Sequence, residues 1–294
     1  MWNCWHVTRN LIRIAALVNG QPSHAVDVSD RGLLYGDGVF ETLAVRAGQP
    51  CLWSAHMERL RLGADRLGIP APDAGILRRE ADRLLAGSEI GVLRVTLTRG
   101  AGGRGYWPPP GLTPTRILAL YPSTTDVSAA GSVSSSRLTL CRTRLSENRQ
   151  LAGIKHLNRL EQVLARSEWQ DPDIIDGVML DGHERVICGT MTNLFLLDER
   201  GLSTPDLTHC GVQGTVRALV LKHARALGIT LDVRTLQVAD LIRAKAVFVT
   251  NAVLGVVPVA AFDGTRYDPG AMPEPLRRLI QQVRRAALTV ETAE

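Results

Sequence analysis

Long apolar runs are missing from these 294 residues. No stretch reaches the roughly 18 uninterrupted apolar positions that a membrane helix needs, so no membrane partner is expected. Cysteine is scarce and dispersed. The five residues (Cys4, Cys51, Cys141, Cys188 and Cys210) are odd in number, widely spaced and free of any CxxC pair. That pattern argues against a disulfide framework and a zinc site, and for reduced thiols in a cytosol. No metal is expected. Nor is there a basic block with interleaved aromatics. The formal charge of +5 comes with arginines scattered along the chain, which argues against nucleic acid as a partner. Such a surplus suits an anionic small substrate or cofactor, although a solvated arginine-rich surface accounts for most of it. Residues 1–6 lack the basic and long apolar regions of a secretory signal, so a cytoplasmic protein is expected. No internal repeat is visible.

What is present is an ordinary globular composition, 45% hydrophobic and 21% charged, long enough for two modest domains with proper cores. Residues 1–16 read as an N-terminal extension. Leu17 and Val18 open a strand, and Val26 and Val28 alternate with polar neighbours before Asp30, Arg31 and Gly32. An alternating run follows the glycines at 36 and 38 and continues through Val45. Ser54 suits the N-cap of a helix that Gly68 ends, with Met57, Leu60, Ala64 and Leu67 as its buried stripe. Leu93, Val95 and Leu97 mark one strand and Ile117–Tyr121 another. Residues 123–136 are small and polar, the composition of a linker between a first domain over 17–122 and a second over 137–294. The second domain begins with a strand over Leu138–Leu145. Ile174–Leu180 and Val186–Ile187 read as a hairpin, and Thr190–Leu197 as a strand. A helix from Thr215 stops at Gly228, a buried strand covers Val247–Thr250, and a closing helix runs from Pro273.

Three stretches carry chemistry. Lys155 sits between Ala152, Gly153 and Ile154 and the start of an amphipathic helix reaching Trp169. On that helix Leu157, Leu160 and Leu164 recur, with Val163 alongside. A lysine so placed is partly desolvated, which lowers an ammonium pKa toward a nucleophilic amine; a solvated surface lysine is the commoner case. Arg99–Tyr106 is a glycine loop with two cations, Arg99 and Arg104, and an aromatic, Tyr106. It is neither a Walker loop nor a Rossmann turn. Gly211–Arg217 sets glycines at a helix start, where free N–H groups and the positive dipole end make a phosphate seat. His56 and Arg59 share a helix face. Tyr35 and Phe40 flank glycines that mark either close approach of backbone to a ligand or a tight turn.

The runs Leu151–Glu161 and Arg99–Tyr106 closely resemble the lysine segment and the RGxGGRGY loop of the aminodeoxychorismate lyases. These belong to the fold-type IV pyridoxal-phosphate (PLP) enzymes, with the branched-chain and D-amino-acid aminotransferases. His56–Leu60 matches an HxxRL segment of these enzymes, and Tyr35–Glu41 their YGxxxFE region. The resemblance spans about residues 17–260. It implies an α+β, two-domain fold of the D-amino-acid aminotransferase type, with a small N-terminal α/β domain and a larger, β-rich C-terminal α/β domain. It implies PLP as cofactor, with Lys155 as Schiff-base lysine and general base. Arg59 and the amides of Thr215 and Val216 would bind the phosphate, with further contacts from Asn251 and Ala252. Tyr35 and Phe40 would line the substrate pocket. Arg99 and Arg104, beside Tyr106, would receive the carboxylates of 4-amino-4-deoxychorismate on its way to 4-aminobenzoate and pyruvate. A homodimer is implied on the same ground.

The chain departs from the family at one position. Family members carry a glutamate against the pyridine nitrogen, five residues before the asparagine of the NLF segment, and that position is Cys188 here. A thiol cannot hold a pyridinium as a carboxylate does. Three readings stay open: a lyase with a less electron-withdrawing ring, an aminotransferase acting on branched-chain or D-amino acids, or a PLP-binding protein with lapsed catalysis. A small buried cysteine filling space is the plain alternative.

Overall fold

A computed structural model describes residues 14–122 and 136–290. The extension over 1–13, the linker over 123–135 and Cys4 lie outside the described residues. The described chain forms two compact units. One holds 14–122 with Ile154–Asn158 and 288–290; the other holds 136–153 and Arg159–Ala287.

In chain order, the first unit runs β1 (Ala15–Val18), β2 (Gln21–Pro22), α1 (Arg31–Tyr35), β3 (Gly38–Arg46), β4 (Gln49–Pro50), α2 (Trp53–Leu67), α3 (Ala74–Leu85), β5 (Ile90–Thr98) and β6 (Thr115–Pro122). Its six strands form one antiparallel sheet in the order β2-β1-β6-β5-β3-β4. Alternation along the strands sorts the side chains. Val39, Leu43 and Val45 of β3 pack with Leu93, Val95 and Leu97 of β5 against Met57, Leu60 and Ala64 of α2 and Leu77, Ala81 and Leu85 of α3. Glu41 shares that face by register, whereas Phe40, Thr96 and Arg94 share the opposite one. The helix expected from Ser54 begins at Trp53 instead, entered through Leu52 in the left-handed region, and Gly68 caps its end at φ 65° as expected. Val26 and Val28 form no strand. Asp30 instead caps α1 by accepting from the Gly32 amide.

The second unit continues β7 (Arg137–Leu145), α4 (Leu160–Arg166), β8 (Ile174–Asp181), β9 (Val186–Gly189), β10 (Asn193–Asp198), β11 (Gly201–Pro205), α5 (Thr215–Ala226), β12 (Leu231–Arg234), α6 (Val238–Arg243), β13 (Ala246–Asn251), β14 (Gly255–Pro258), β15 (Ala261–Phe262), β16 (Thr265–Arg266) and α7 (Glu274–Ala287). Two sheets result, β12-β11-β10-β13-β14 and β16-β15-β7-β8-β9. The closing helix buries Leu276, Leu279, Ile280, Val283 and Ala287, the stripe its spacing predicts. The helix after Lys155 is shorter than its apolar period suggests. It starts only at Leu160, because residues 155–157 are drawn into backbone pairing with β3. Its apolar positions are also not core: Leu160, Val163 and Leu164 are exposed.

A buried carboxylate organises one end of β8. Asp176 is fully buried and takes five hydrogen bonds. Its Oδ1 accepts from the Gly177 and Thr190 amides and the Thr190 hydroxyl, and its Oδ2 from the Met191 amide and the Thr192 hydroxyl. Thr190–Thr192, expected as strand, is therefore a turn wrapped on Asp176, and β10 begins at Asn193. Gly189 is required there, since a Cβ would lie 2.2 Å from Asp176 Oδ2. Removing the carboxylate strands several buried donors, each worth about 1–3 kcal/mol. Asp176→Ala is expected to lower unfolding stability by about 3 kcal/mol or more, read as a lower urea midpoint.

Candidate active site

Lys155 is set by backbone. The Phe40 amide donates to the Lys155 carbonyl at 2.9 Å and the Leu157 amide to the Gly38 carbonyl at 3.0 Å, so residues 155–157 form a short rung along the start of β3. The first of the two glycines noted in the sequence meets the residue after that rung, and the second meets both the rung and the β5 backbone, where a Cβ would lie 2.5 Å from the Leu97 carbonyl oxygen. Gly36 lies at φ 66° and a Cβ on it would sit 2.4 Å from Asn158 Oδ1; one on Gly38 would sit 2.8 Å from Leu157 Cδ1. The tight-turn alternative describes Gly36, at φ 66°. The approaching group is the protein's own 157–158 segment.

Of the three lysines in the chain, Lys222 and Lys245 are exposed and Lys155 is half-buried. Its Nζ lies 4.3 Å from the centroid of the Phe40 ring, and the Arg94 guanidinium lies 4.0 Å from the same centroid. Two cations thus share one buried aromatic ring, a favourable contact for each. Arg94 escaped the sequence reading because an arginine in an alternating strand looks solvated. Burial depresses its pKa, opposed by Tyr121, and it makes no ion pair with a carboxylate among the described residues. A half-buried guanidinium so placed suits an incoming carboxylate.

Behind the rung lies a buried acid that the sequence reading also missed. Glu41 is fully buried. Arg59 donates to both of its oxygens, through Nε at 2.7 Å and through Nη2, and His56 Nδ1 lies 2.6 Å from Oε2. A carboxylate only accepts, so His56 donates from Nδ1. Burial would raise the Glu41 pKa, but Arg59 and His56 outweigh it and hold it at about 2. Burial depresses the His56 pKa; Glu41 opposes this, and Arg59 and Lys155 reinforce it. The HxxR spacing is thereby explained: one turn of α2 brings both side chains to the same carboxylate.

The glycine loop is tied down by a second ion-pair set. Arg31, buried, donates to Asp37 and to the carbonyls of Gly105 and Tyr106, each at 3.0 Å. Arg99 grips Asp37 with Nε and Nη2 at 2.7 and 3.0 Å and donates to the Gly68 and Leu67 carbonyls. Burial acts against the Asp37 carboxylate, but Arg99 and Arg31 hold its pKa below the usual range. Arg99, expected to receive substrate, spends its donors within the protein. Four of its five donors face Asp37 and backbone, so it anchors the loop, while Arg104 stays exposed. Tyr35 accepts from the Gly105 amide at 3.1 Å and meets Tyr106 edge-on at 5.6 Å. It supports the loop, and Tyr106 is 87% exposed.

In the second unit, Gly214 caps α5 with no side-chain hydrogen bond, leaving the first-turn amides of Thr215 and Val216 without intrahelical partners. The Thr215 and Thr250 hydroxyls are buried without a hydrogen-bond partner. Two orphaned hydroxyls and an open helix N-terminus are donors that suit a phosphate. Asn251, expected with Ala252 to contact that group, turns its Oδ1 to the Val253 and Leu254 amides at 2.9 and 2.7 Å, shaping the loop that carries Ala252. Cys188 lies in an apolar cluster with Cys141, Met179, Ile187 and Cys210. Burial, with Asp176 and Cys210, pushes its thiol far above the ordinary range against a weaker pull from Arg159, so it is neutral at pH 7.

The Glu41 cluster makes a pH prediction. The Glu41 pKa in the folded chain, about 2, lies below its ordinary 4.5, so its contribution is whole above pH 4.5 and is lost as pH falls toward 2. The His56 pKa is lowered from 6.5, so the unfolded chain takes up that proton first and stability begins to fall below pH 6.5. Melting temperature measured from pH 8 to 3 should decline below pH 6.5 and more steeply below 4.5. The lower limb should be shallower in Glu41→Gln.

Comparison with known proteins agrees with this geometry. The profile of the family described as amino-transferase class IV matches residues 38–262. A crystal structure of 4-amino-4-deoxychorismate lyase from Pseudomonas aeruginosa shares 45% sequence identity, covering 92% of this chain and 98% of that one, with a TM-score of 0.84. An aminodeoxychorismate lyase from Vibrio harveyi is 35% identical over 83% of this chain and 89% of its own length. A bifunctional aminodeoxychorismate lyase / D-amino acid transaminase from Mycobacterium tuberculosis is 28% identical over 85% of this chain and 90% of its own. With the family profile covering more than half of its length, this chain belongs to the class IV amino-transferases and has their fold-type IV architecture.

Proposed function

We propose that this protein is a PLP-dependent lyase that converts 4-amino-4-deoxychorismate to 4-aminobenzoate and pyruvate. The observation that carries the reading is the setting of Lys155. It is the one lysine that is not exposed and shares the Phe40 ring with Arg94, in a chain 45% identical to a 4-amino-4-deoxychorismate lyase.

The residues fit the cofactor. Thr215, Val216 and Thr250 would take its phosphate together with Arg59, and Lys155 would hold its aldehyde carbon. When bound, the cofactor supplies an electron sink for the bond-breaking step. Lys155 Nζ, released by the substrate amine, is the base that removes the proton from the ring carbon bearing that amine. The enolpyruvyl group would depart from the neighbouring carbon with the C–O bonding pair, take a proton to become pyruvate, and leave the ring aromatic. Arg94 and Arg104 orient the substrate carboxylates, and Phe40 keeps water from one side of the amine. Glu41, ionised by its two partners, is not the acid of this reaction. Cys188, neutral and buried, brings no charge to the ring nitrogen, and Asp176 does not replace it because both of its oxygens are occupied. A weak sink is compatible with elimination, where aromatisation supplies driving force that an aminotransferase lacks.

The exposed apolar residues Leu160, Val163 and Leu164 of α4 support a homodimer. The free cysteines Cys51, Cys141, Cys188 and Cys210 support a reducing, cytoplasmic setting. No helix among the described residues is long and apolar enough to cross a membrane. The bifunctional relative favours a second activity, amino transfer from a D-amino acid.

Purified protein should show a visible absorption band that Lys155→Ala lacks, with lyase turnover lost in the same variant. Transfer between an amino donor and pyruvate without formation of 4-aminobenzoate would replace the lyase reading by the aminotransferase one. Arg94→Ala should raise KM about tenfold or more with a smaller change in kcat, as for the loss of a charge-assisted contact formed on binding. An unchanged KM would remove Arg94 from substrate recognition.

A further inference from the structure

Asn193 is buried at the start of β10, 7% exposed, and both ends of its amide are used. Oδ1 accepts from the Gly214 amide at 3.0 Å and Nδ2 donates to the Val212 carbonyl at 2.9 Å. The side chain thus clasps the turn that delivers the chain into α5. Its own position is set from behind by the Asp176-wrapped turn at 190–192 and from the side by sheet pairing with Thr250. Cross-strand partners share a face, so Asn193 stands beside one orphaned hydroxyl while holding the residue that precedes the other, Thr215.

Gly214 makes the coupling specific. Its backbone, φ −68° and ψ 144°, is open to any L-residue, so conformation does not demand glycine. Space does. A Cβ at 214 would lie 2.1 Å from Asn193 Oδ1 and 3.3 Å from Asn193 Cγ, whereas the nearest atom of another residue beyond its chain neighbours, Arg217 Cβ, is at an ordinary 3.6 Å. Glycine is needed at this position because asparagine occupies the other.

We infer that Asn193 is a positioning residue for phosphate recognition: its amide, seated against a glycine that leaves it room, aims the first turn of α5 and the Thr215 hydroxyl at the cofactor's phosphate. The inference rests on the PLP reading above and deepens it. Asn193 touches neither cofactor nor substrate in this role and acts through the 212–214 turn. Loss of a clasp of two hydrogen bonds is expected to cost roughly tenfold in affinity.

The test compares PLP with pyridoxal, which lacks the phosphate, by spectrophotometric titration of the intact protein. Wild type should bind PLP far more tightly than pyridoxal. Asn193→Ala should weaken PLP about tenfold and pyridoxal less than twofold. Gly214→Ala should do the same, because its methyl displaces the amide. The double variant should be no worse than Asn193→Ala alone, since the methyl then meets empty space; that non-additivity marks a shared contact. Should Asn193→Ala fail to fold, Gly214→Ala alone carries the PLP-to-pyridoxal comparison. Equal losses for the two ligands, additive losses in the double variant, or unchanged PLP affinity in either single variant would overturn the inference and leave the cofactor reading standing. A wild-type protein that binds PLP no better than pyridoxal would overturn both.

Discussion

Two backbone hydrogen bonds, Phe40 to the Lys155 carbonyl and Leu157 to Gly38, hold Lys155 against the start of β3. Each is worth only about 1 kcal/mol net, but together they turn a loop into a rung of the sheet. The rung sets the Lys155 side chain against Phe40, brings Asn158 to where a Cβ on residue 36 would lie and delays the following helix to Leu160. A lysine on a free loop would be solvated, with the pKa of an ordinary ammonium. Held here it is half-buried, beside an aromatic ring and a second cation.

Charge balance explains much of what surrounds it. Glu41 is matched by Arg59 and His56 and Asp37 by Arg31 and Arg99, whereas the Asp176 carboxyl, whose pKa burial raises, is met by neutral amides and hydroxyls. Buried ions are tolerable only when paired in this way, so each set is also a geometric constraint. Arg59 is oriented by Glu41, the glycine loop is pinned by Asp37, and the turn after Cys188 is moulded on Asp176. Arg94 stands outside this pattern, stacked on Phe40 with no carboxylate of the described residues in reach. A cation left over beside the Lys155 amine is consistent with an anionic substrate.

The legible parts of the sequence were those with a period or a short motif. The β3, β5 and β6 strands, the α2 stripe over Met57, Leu60 and Ala64, and the whole apolar face of α7 followed from alternation and helical spacing. Lys155 and the Gly214 helix start stood out because their neighbours are small. Residues whose meaning lies in a distant partner were not legible. The grip of Arg99 on Asp37 and on the Leu67 and Gly68 carbonyls is one case. Leu160 and Leu164 looked like core because helical period reports a stripe, not what covers it. Glu41, Arg94 and Asn193 looked like ordinary strand residues.

By itself, then, the sequence determined which segments alternate, which turn, where a desolvated lysine sits and which family's motifs the chain carries. These are properties of neighbours along the chain, settled by sterics and local hydrogen bonding. Only the tertiary structure decided that Glu41 would bind Arg59 and His56, that Arg99 would be an anchor, and that Gly214 yields its space to Asn193. Those outcomes depend on electrostatic matching and close packing between residues 15 to 62 positions apart, over which local propensity has no influence.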